Sequence, residues 1–210
     1  MKKLFLLLTA TALALPALAQ TERGTTMIGL STGNLNYSHE SKGNNYFSAA
    51  LYPSVGRFVV DNLALGATLN LGYDRTSSQY RLSSATQREV EYGIAPFARY
   101  YFIGQGKHRL FAEAGVDFSR RQMRYNTSSP GQPDYGQKGS QNSIGWHGAL
   151  GYNYFLTPNA ALEASVGYYR GRSEYNAGGP YPYYWEQRSD NALKVRVGFT
   201  VFLPSGTTAQ

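Results

Sequence analysis

Cysteine is absent from the chain, so thiolate metal sites, thiol nucleophiles and disulfides are all closed to it. The histidines are His39, His108 and His147. Metal coordination needs several such ligands converging, and no His-Glu-x-x-His or comparable spacing occurs, so neither a metal site nor a cofactor is expected. His39 has Ser38, Glu40 and Ser41 beside it, the raw material of a nucleophile–base pair. Nothing fixes an orienting partner or an oxyanion donor, so it reads as an exposed loop histidine, His147 reads as a hydrogen-bonded interior residue, and no catalytic residue is expected. The triplet Asn126-Thr127-Ser128 matches a glycosylation acceptor by chance composition.

The charges are more informative. Glu91, Arg99, Glu113, Asp117, Arg121, Glu163, Lys194 and Arg196 all stand on the polar parity of segments whose other parity is apolar. If the chain reverses at Gly104–Lys107 without a slip, Arg99 faces Glu113 and Glu91 faces Arg121, opposite signs on one side of a strand pair. A reversal at Thr157–Asn159 sets Asn153 beside Glu163, with Lys194 and Arg196 on the next strand over. Charges enclosed by a wall need partners, so the spacing predicts a salt-bridged plug.

The elements that position these groups are strands. From Lys194 to Leu203, Val195, Val197, Phe199, Val201 and Leu203 make one unbroken apolar side, and Lys194, Arg196, Gly198, Thr200 and Phe202 make the other. The same two-residue period runs through Leu63–Asp74, Glu89–Phe102, Leu110–Ser119, Ile144–Tyr154 and Ala160–Tyr169. The less regular runs Thr25–Tyr37 and Phe47–Val60 bring the count to eight. Short turns are predicted at Asp61-Asn62, Gly104–Lys107 and Thr157–Asn159, and long polar loops at Ser38–Asn45, Arg75–Gln87, Gln122–Gln141 and Arg172–Asp190. Short turns on one side and long loops on the other, with apolar faces outward, describe an all-β fold: an eight-stranded antiparallel up-and-down transmembrane β-barrel. Eight strands are just wide enough for side chains to fill the interior. Phe58, Phe102, Phe155 and Phe202 crowd one set of strand ends and Tyr37, Tyr73, Tyr125 and Tyr168 the other, as boundary girdles with some rings turned inward as filling.

Composition and the first residues agree with export. Met1-Lys2-Lys3, the apolar run from Leu4 to Leu15 and Ala17-Leu18-Ala19 read as a cleaved signal peptide, too short for the about 20 residues of a spanning helix. The expected organisation is 1–19 signal peptide, 20–24 a short N-terminal segment, 25–203 barrel and 204–210 a periplasmic tail. Net charge is +7 and mean hydropathy negative, with 18 Tyr, 10 Phe and 23 Gly. For an exported chain such a charge suits anionic lipid, and nucleic acid is not an expected partner. Arg120, Arg124, Arg170 and Arg172 continue the outward parity above the apolar band, where guanidinium groups are expected to meet the phosphates of outer-leaflet lipopolysaccharide.

The phrase Pro53-Ser54-Val55-Gly56-Arg57-Phe58-Val59-Val60-Asp61-Asn62-Leu63-Ala64-Leu65-Gly66 resembles the strand–turn–strand of OmpA/OmpX-type outer-membrane β-barrels, including the small porin-family proteins. The end Arg196-Val197-Gly198-Phe199-Thr200-Val201-Phe202-Leu203 is similar to the signal such barrels present to the barrel-assembly machinery, which would make Arg196, Gly198, Val201 and Leu203 assembly residues. The resemblance implies an integral protein of the outer membrane, exported through the periplasm, monomeric and not an enzyme. Its role would be structural or in surface interaction, with an extracellular ligand that the residues do not name. The aromatic stretch Gly178–Trp185 would either serve that surface or pack on itself. Small-solute transport is the first alternative, and modification of lipid A, which some barrels of this size perform, is the second.

Overall fold

The computed structural model describes residues 21–40, 43–80, 83–103, 106–178 and 186–204. The expected signal peptide, Ser41, Gly104-Gln105, the aromatic stretch from Gly179 to Trp185 and the tail beyond Pro204 lie outside the described residues. Eight strands, β1 (Thr26–His39), β2 (Asn45–Val60), β3 (Leu63–Tyr80), β4 (Ser83–Ile103), β5 (His108–Ser128), β6 (Tyr135–Thr157), β7 (Ala160–Gly178) and β8 (Glu186–Leu203), close in sequence order into an antiparallel barrel. Closure removes the unpaired edges that a membrane could not satisfy.

The side-chain period sorts the wall. Leu65, Leu69, Leu71, Val90, Ile94, Val116, Phe118, Ile144, Leu150, Leu162, Val195 and Val197 are exposed on the outside, and Phe58, Phe97, Phe111, Phe155 and Phe202 are buried inside. Tyr37, Tyr73 and Tyr168 point outward with Phe102, Tyr125 is exposed near the end of β5 on the inward parity, and Phe58, Phe155 and Phe202 serve as filling. The hairpin register is the unslipped one: Arg99 pairs with Glu113, Glu91 with Arg121 and Asn153 with Glu163.

Three of the long loops expected from polarity are largely wall. Strand β3 runs to Tyr80 and β4 starts at Ser83, β5 and β6 are separated only by 129–134, and β7 reaches Gly178 before β8 begins at Glu186. Above the hydrocarbon a strand needs no apolar side, since its backbone ladder is complete whatever the side chains are. Polar alternation there hides strands that the apolar period reveals below. One seam differs: β1 and β8 pair only over Thr26–Thr32 and Val197–Leu203.

The short turns build a floor. Register shifts fall at Phe58/Val60, Tyr101/Ile103 and Phe155/Thr157, one beside each turn. Phe58, Tyr101 and Phe155 stand just before these bulges on the inward parity of their strands. Their backbone N–H groups donate to the carbonyls of Thr25 (2.9 Å), Asn62 (2.9 Å) and Lys107 (2.8 Å), and that of Phe202 donates to Asn159 (2.8 Å). Asn62 makes its turn with a φ of 66°, a conformation asparagine tolerates better than most residues. The N-terminal segment ties in as well, the Thr21 hydroxyl donating to Asn62 Oδ1 at 2.7 Å.

Candidate functional site

The lumen has two storeys. At the base the rings of Phe58, Tyr101, Phe155 and Phe202 stack with centroids 5.1 to 6.4 Å apart, and Met27, Phe111, Ala64 and Ala161 close the gaps among them. Immediately above sits Arg99, buried on all sides. Its Nε donates to Glu113 Oε2 at 2.7 Å, its Nη1 to Glu163 Oε2 at 2.7 Å and its Nη2 to Glu163 Oε1 at 3.1 Å. The guanidinium lies 4.0 Å from the centre of the Phe111 ring, and the Thr200 hydroxyl donates to Glu163 Oε2 at 2.9 Å. His147 extends the chain of contacts, with Nδ1 2.6 Å from Asp117 Oδ2 and Nε2 3.4 Å from Glu113 Oε1. The network therefore laces β4, β5, β6, β7 and β8 across the lumen.

Two glycines make the plug possible. A Cβ on Gly115 would stand 2.5 Å from His147 Cε1, and one on Gly151 would stand 2.1 Å from Phe111 Cζ. Both are close approaches that only a residue without a side chain permits.

Above the plug the lumen widens into a cup of about 910 Å³ that faces the end bearing the long hairpins. Its acidic side groups come from Asp74, Glu89, Glu91 and Asp117 on β3 to β5 and from Asp190 on β8. Arg121 bridges to Glu91 at 2.6 Å and to Glu89 at 3.3 Å. Lys194 and Arg196, on β8, behave differently from the expected ion pairs: among the described residues neither has a carboxylate within salt-bridge distance. Lys194 Nζ lies 4.1 Å over the Tyr169 ring and Arg196 Cζ 4.2 Å over Tyr52. Aromatic faces attract cations through the ring quadrupole, and this contact stands in for the carboxylates expected from the sequence.

Of the predicted residues, the structure joins Arg99, Glu113, Glu163 and, through His147, Asp117 in one network, and Arg121 with Glu91 in a second. It keeps Lys194 and Arg196 apart from both. Arg120, Arg124, Arg170 and Arg172 are all exposed on the outer wall. Arg196 and Gly198 face inward, Leu203 ends β8 on the outside, and Val201 is half-buried there. His39, at the tip of β1, contacts Asn45 through Nδ1 and is exposed. Among the described residues no His, Cys, Asp and Glu group is arranged to hold a metal. Sequence reading missed His147 as the bridge between Asp117 and Glu113, although its parity already placed it inside.

A closed wall of eight strands, greasy outside and charged within, defines a transmembrane β-barrel. The chain belongs to the outer membrane protein beta-barrel domain family, which it matches over residues 5–206, and its place is the cell outer membrane. It is similar to OprG from Pseudomonas aeruginosa, at 14% identity over 89% of this chain and 99% of that one, with a TM-score of 0.49. It is also similar to a major outer membrane protein from Thermus thermophilus (15% identity, 86% and 99% covered, TM-score 0.48) and to E. coli outer membrane protein W (18% identity, 87% and 98% covered, TM-score 0.45). No curated protein matches the chain.

Proposed function

We propose that this protein is a sealed barrel that serves the cell surface as a rigid structural and interaction element and does not conduct solutes. The observation that carries the reading is the double closure of the base, a layer of four inward rings beneath an arginine held by two carboxylates. Burying charges in this way is costly unless each is matched, and in the base each is matched to another wall residue, so at that level none is free to escort a permeant ion. What faces outward is different: a polar cup and strands that rise past the apolar band as hairpins, a stiff surface on which a partner can be held. The last strand, with Arg196, Gly198, Val201 and Leu203, is on this reading what the barrel-assembly machinery recognises. No catalytic role is assigned, because His147 is held between two carboxylates under the cup and His39 has only an amide for a partner.

Planar-bilayer recording tests the proposal. The refolded protein is expected to give no steady step conductance, and replacing Phe155 and Phe202 with Ala together with Arg99→Gln is expected to produce one. Steps from the unaltered protein, or swelling of liposomes in a sugar or amino acid, would transfer the function to solute transport. Altered lipid A by mass spectrometry in cells that overproduce the protein would transfer it to lipid modification.

A further inference from the structure

On the outer wall the ladder aligns four cations. Arg75 of β3 pairs with Arg88 of β4, Arg88 with Arg124 of β5, and Arg124 with Lys138 of β6. All four are exposed, and among the described residues none is in an ion pair. Like charges directly opposite one another on neighbouring strands repel and destabilise a sheet. Four in consecutive register, without a carboxylate among them, is an arrangement that wants an external polyanion.

The row has a recess beside it. Arg120, four residues nearer the membrane on β5, joins Arg124 and Lys138 with Gln122, Ser140 and Asn176 around a cleft of about 280 Å³. Three cations and neutral hydrogen-bond donors around a small hollow suit a phosphate, which arginine binds with two parallel N–H groups. Arg170 and Arg172, whose partners are Asn191 and Ser189 on β8 and Trp146 and Ile144 on β6, extend the surface onto β7 without joining the row.

Height selects the source of that phosphate. Arg75 lies two residues beyond Tyr73, Arg88 two from Val90 and Arg120 two from Phe118, about 7 Å past the last outward apolar side chains, while Arg124 and Lys138 stand six residues beyond Phe118 and Ile144, about 20 Å along their strands. The cations therefore start at the depth of lipid headgroups and climb outward from it, the span of a large phosphorylated headgroup. The opposite ends of the same strands carry no Arg or Lys on the outward row, which there holds Leu63, Phe102, Leu110 and Leu156. Arg57 on β2 and Lys107 in a turn are isolated cations at that end, so the aligned cationic border lies at the other, as fits a membrane whose outer leaflet carries the more strongly phosphorylated lipid.

We propose that the outer face of β3–β6 is a binding site for the phosphorylated headgroup of the outer-leaflet glycolipid. Arg120, Arg124 and Lys138 hold one phosphate in the cleft, and Arg75 and Arg88 hold a second along the row, which spans about 15 Å. The site rests on the orientation used for the proposed function, with the long hairpins outside.

The test is refolding into phosphatidylcholine vesicles doped with bisphosphorylated lipid A, or with lipid A stripped of its phosphates, followed by re-extraction and quantification of the retained glycolipid. Heat-modifiable migration reports folding throughout. The protein is expected to retain the bisphosphorylated form at least tenfold better than the stripped form. The R88Q/R124Q/K138Q variant is expected to lose that preference while still folding, and in vesicles free of lipid A it should melt at the same temperature or higher, because the repulsion is gone. Equal retention of both lipids, an unchanged preference in the variant, or displacement by millimolar inorganic phosphate would overturn the site. A chain that folds but fails to enter vesicles would instead overturn the membrane reading beneath it.

Discussion

Arg99 and Arg196 are both inward-facing guanidiniums on the same barrel wall, and they lead different lives. Arg99, in the base, is gripped by Glu113 and Glu163 and stacked on Phe111. Arg196, in the cup, rests on the Tyr52 ring and looks into open volume. The difference between the two storeys is one of matching and not of composition. Below, charge and volume are both complementary, so the base acts as structure. Above, Arg121 is bridged to carboxylates but Lys194 and Arg196 are steadied by soft aromatic contacts, so on the side of β8 the cup acts as a surface.

The contrast is broken most severely at Arg99. Arg99→Leu takes the shared cation from Glu113 and Glu163, leaving Glu163 buried without one and Glu113 with only the 3.4 Å contact of His147, and the loss is expected to be about 3–5 kcal/mol. A urea titration read by heat-modifiable migration measures it. A loss below about 1 kcal/mol would mean that water already reaches these carboxylates and that the base is not sealed. Next in size is Phe155→Ala, which removes one of the four floor rings at the last inward position before the bulge at Phe155/Thr157. About 3 kcal/mol of stability should go with it if the cavity does not collapse. An unchanged midpoint would show that the neighbouring rings refill the space and that the floor is fluid.

How much of each storey could be read in advance follows from how local its determinants are. Arg99 with Glu113, and Glu91 with Arg121, are neighbours across a single hairpin, and strand parity with an unslipped turn was enough to pair them. The second carboxylate on Arg99 comes from β7, three strands away, and only closure of the barrel brings it across the lumen. His147 was legible as inward, but its bond to Asp117 depends on a diagonal that the ladder alone does not dictate. The floor was missed as a unit because bulges are set by the meeting of strand twist and turn, and no residue type marks them. The outer cation row was hidden for another reason. Arg75, Arg88 and Lys138 fall in segments whose polarity reads as loop, and two loops have no register to compare.

The smallest effect belongs to the cup, and there the comparison is sharpest. Lys194→Met and Arg196→Met each remove a charge that no carboxylate within bridging distance balances among the described residues, and each keeps an unbranched chain on its tyrosine. The cation–π contact given up is worth about 0.5–1 kcal/mol at a site this wet, and the charge no longer has to be held beside its like-charged neighbour. The two terms oppose, so either variant should unfold within about 1 kcal/mol of the parent protein in the same urea titration. A cost near that of Arg99→Leu would place Arg196 in a matched network after all and would make the cup a continuation of the plug. A near-zero cost means that β8 holds two lumenal cations that stability does not require. Such residues persist in a wall for what they present to the space in front of them.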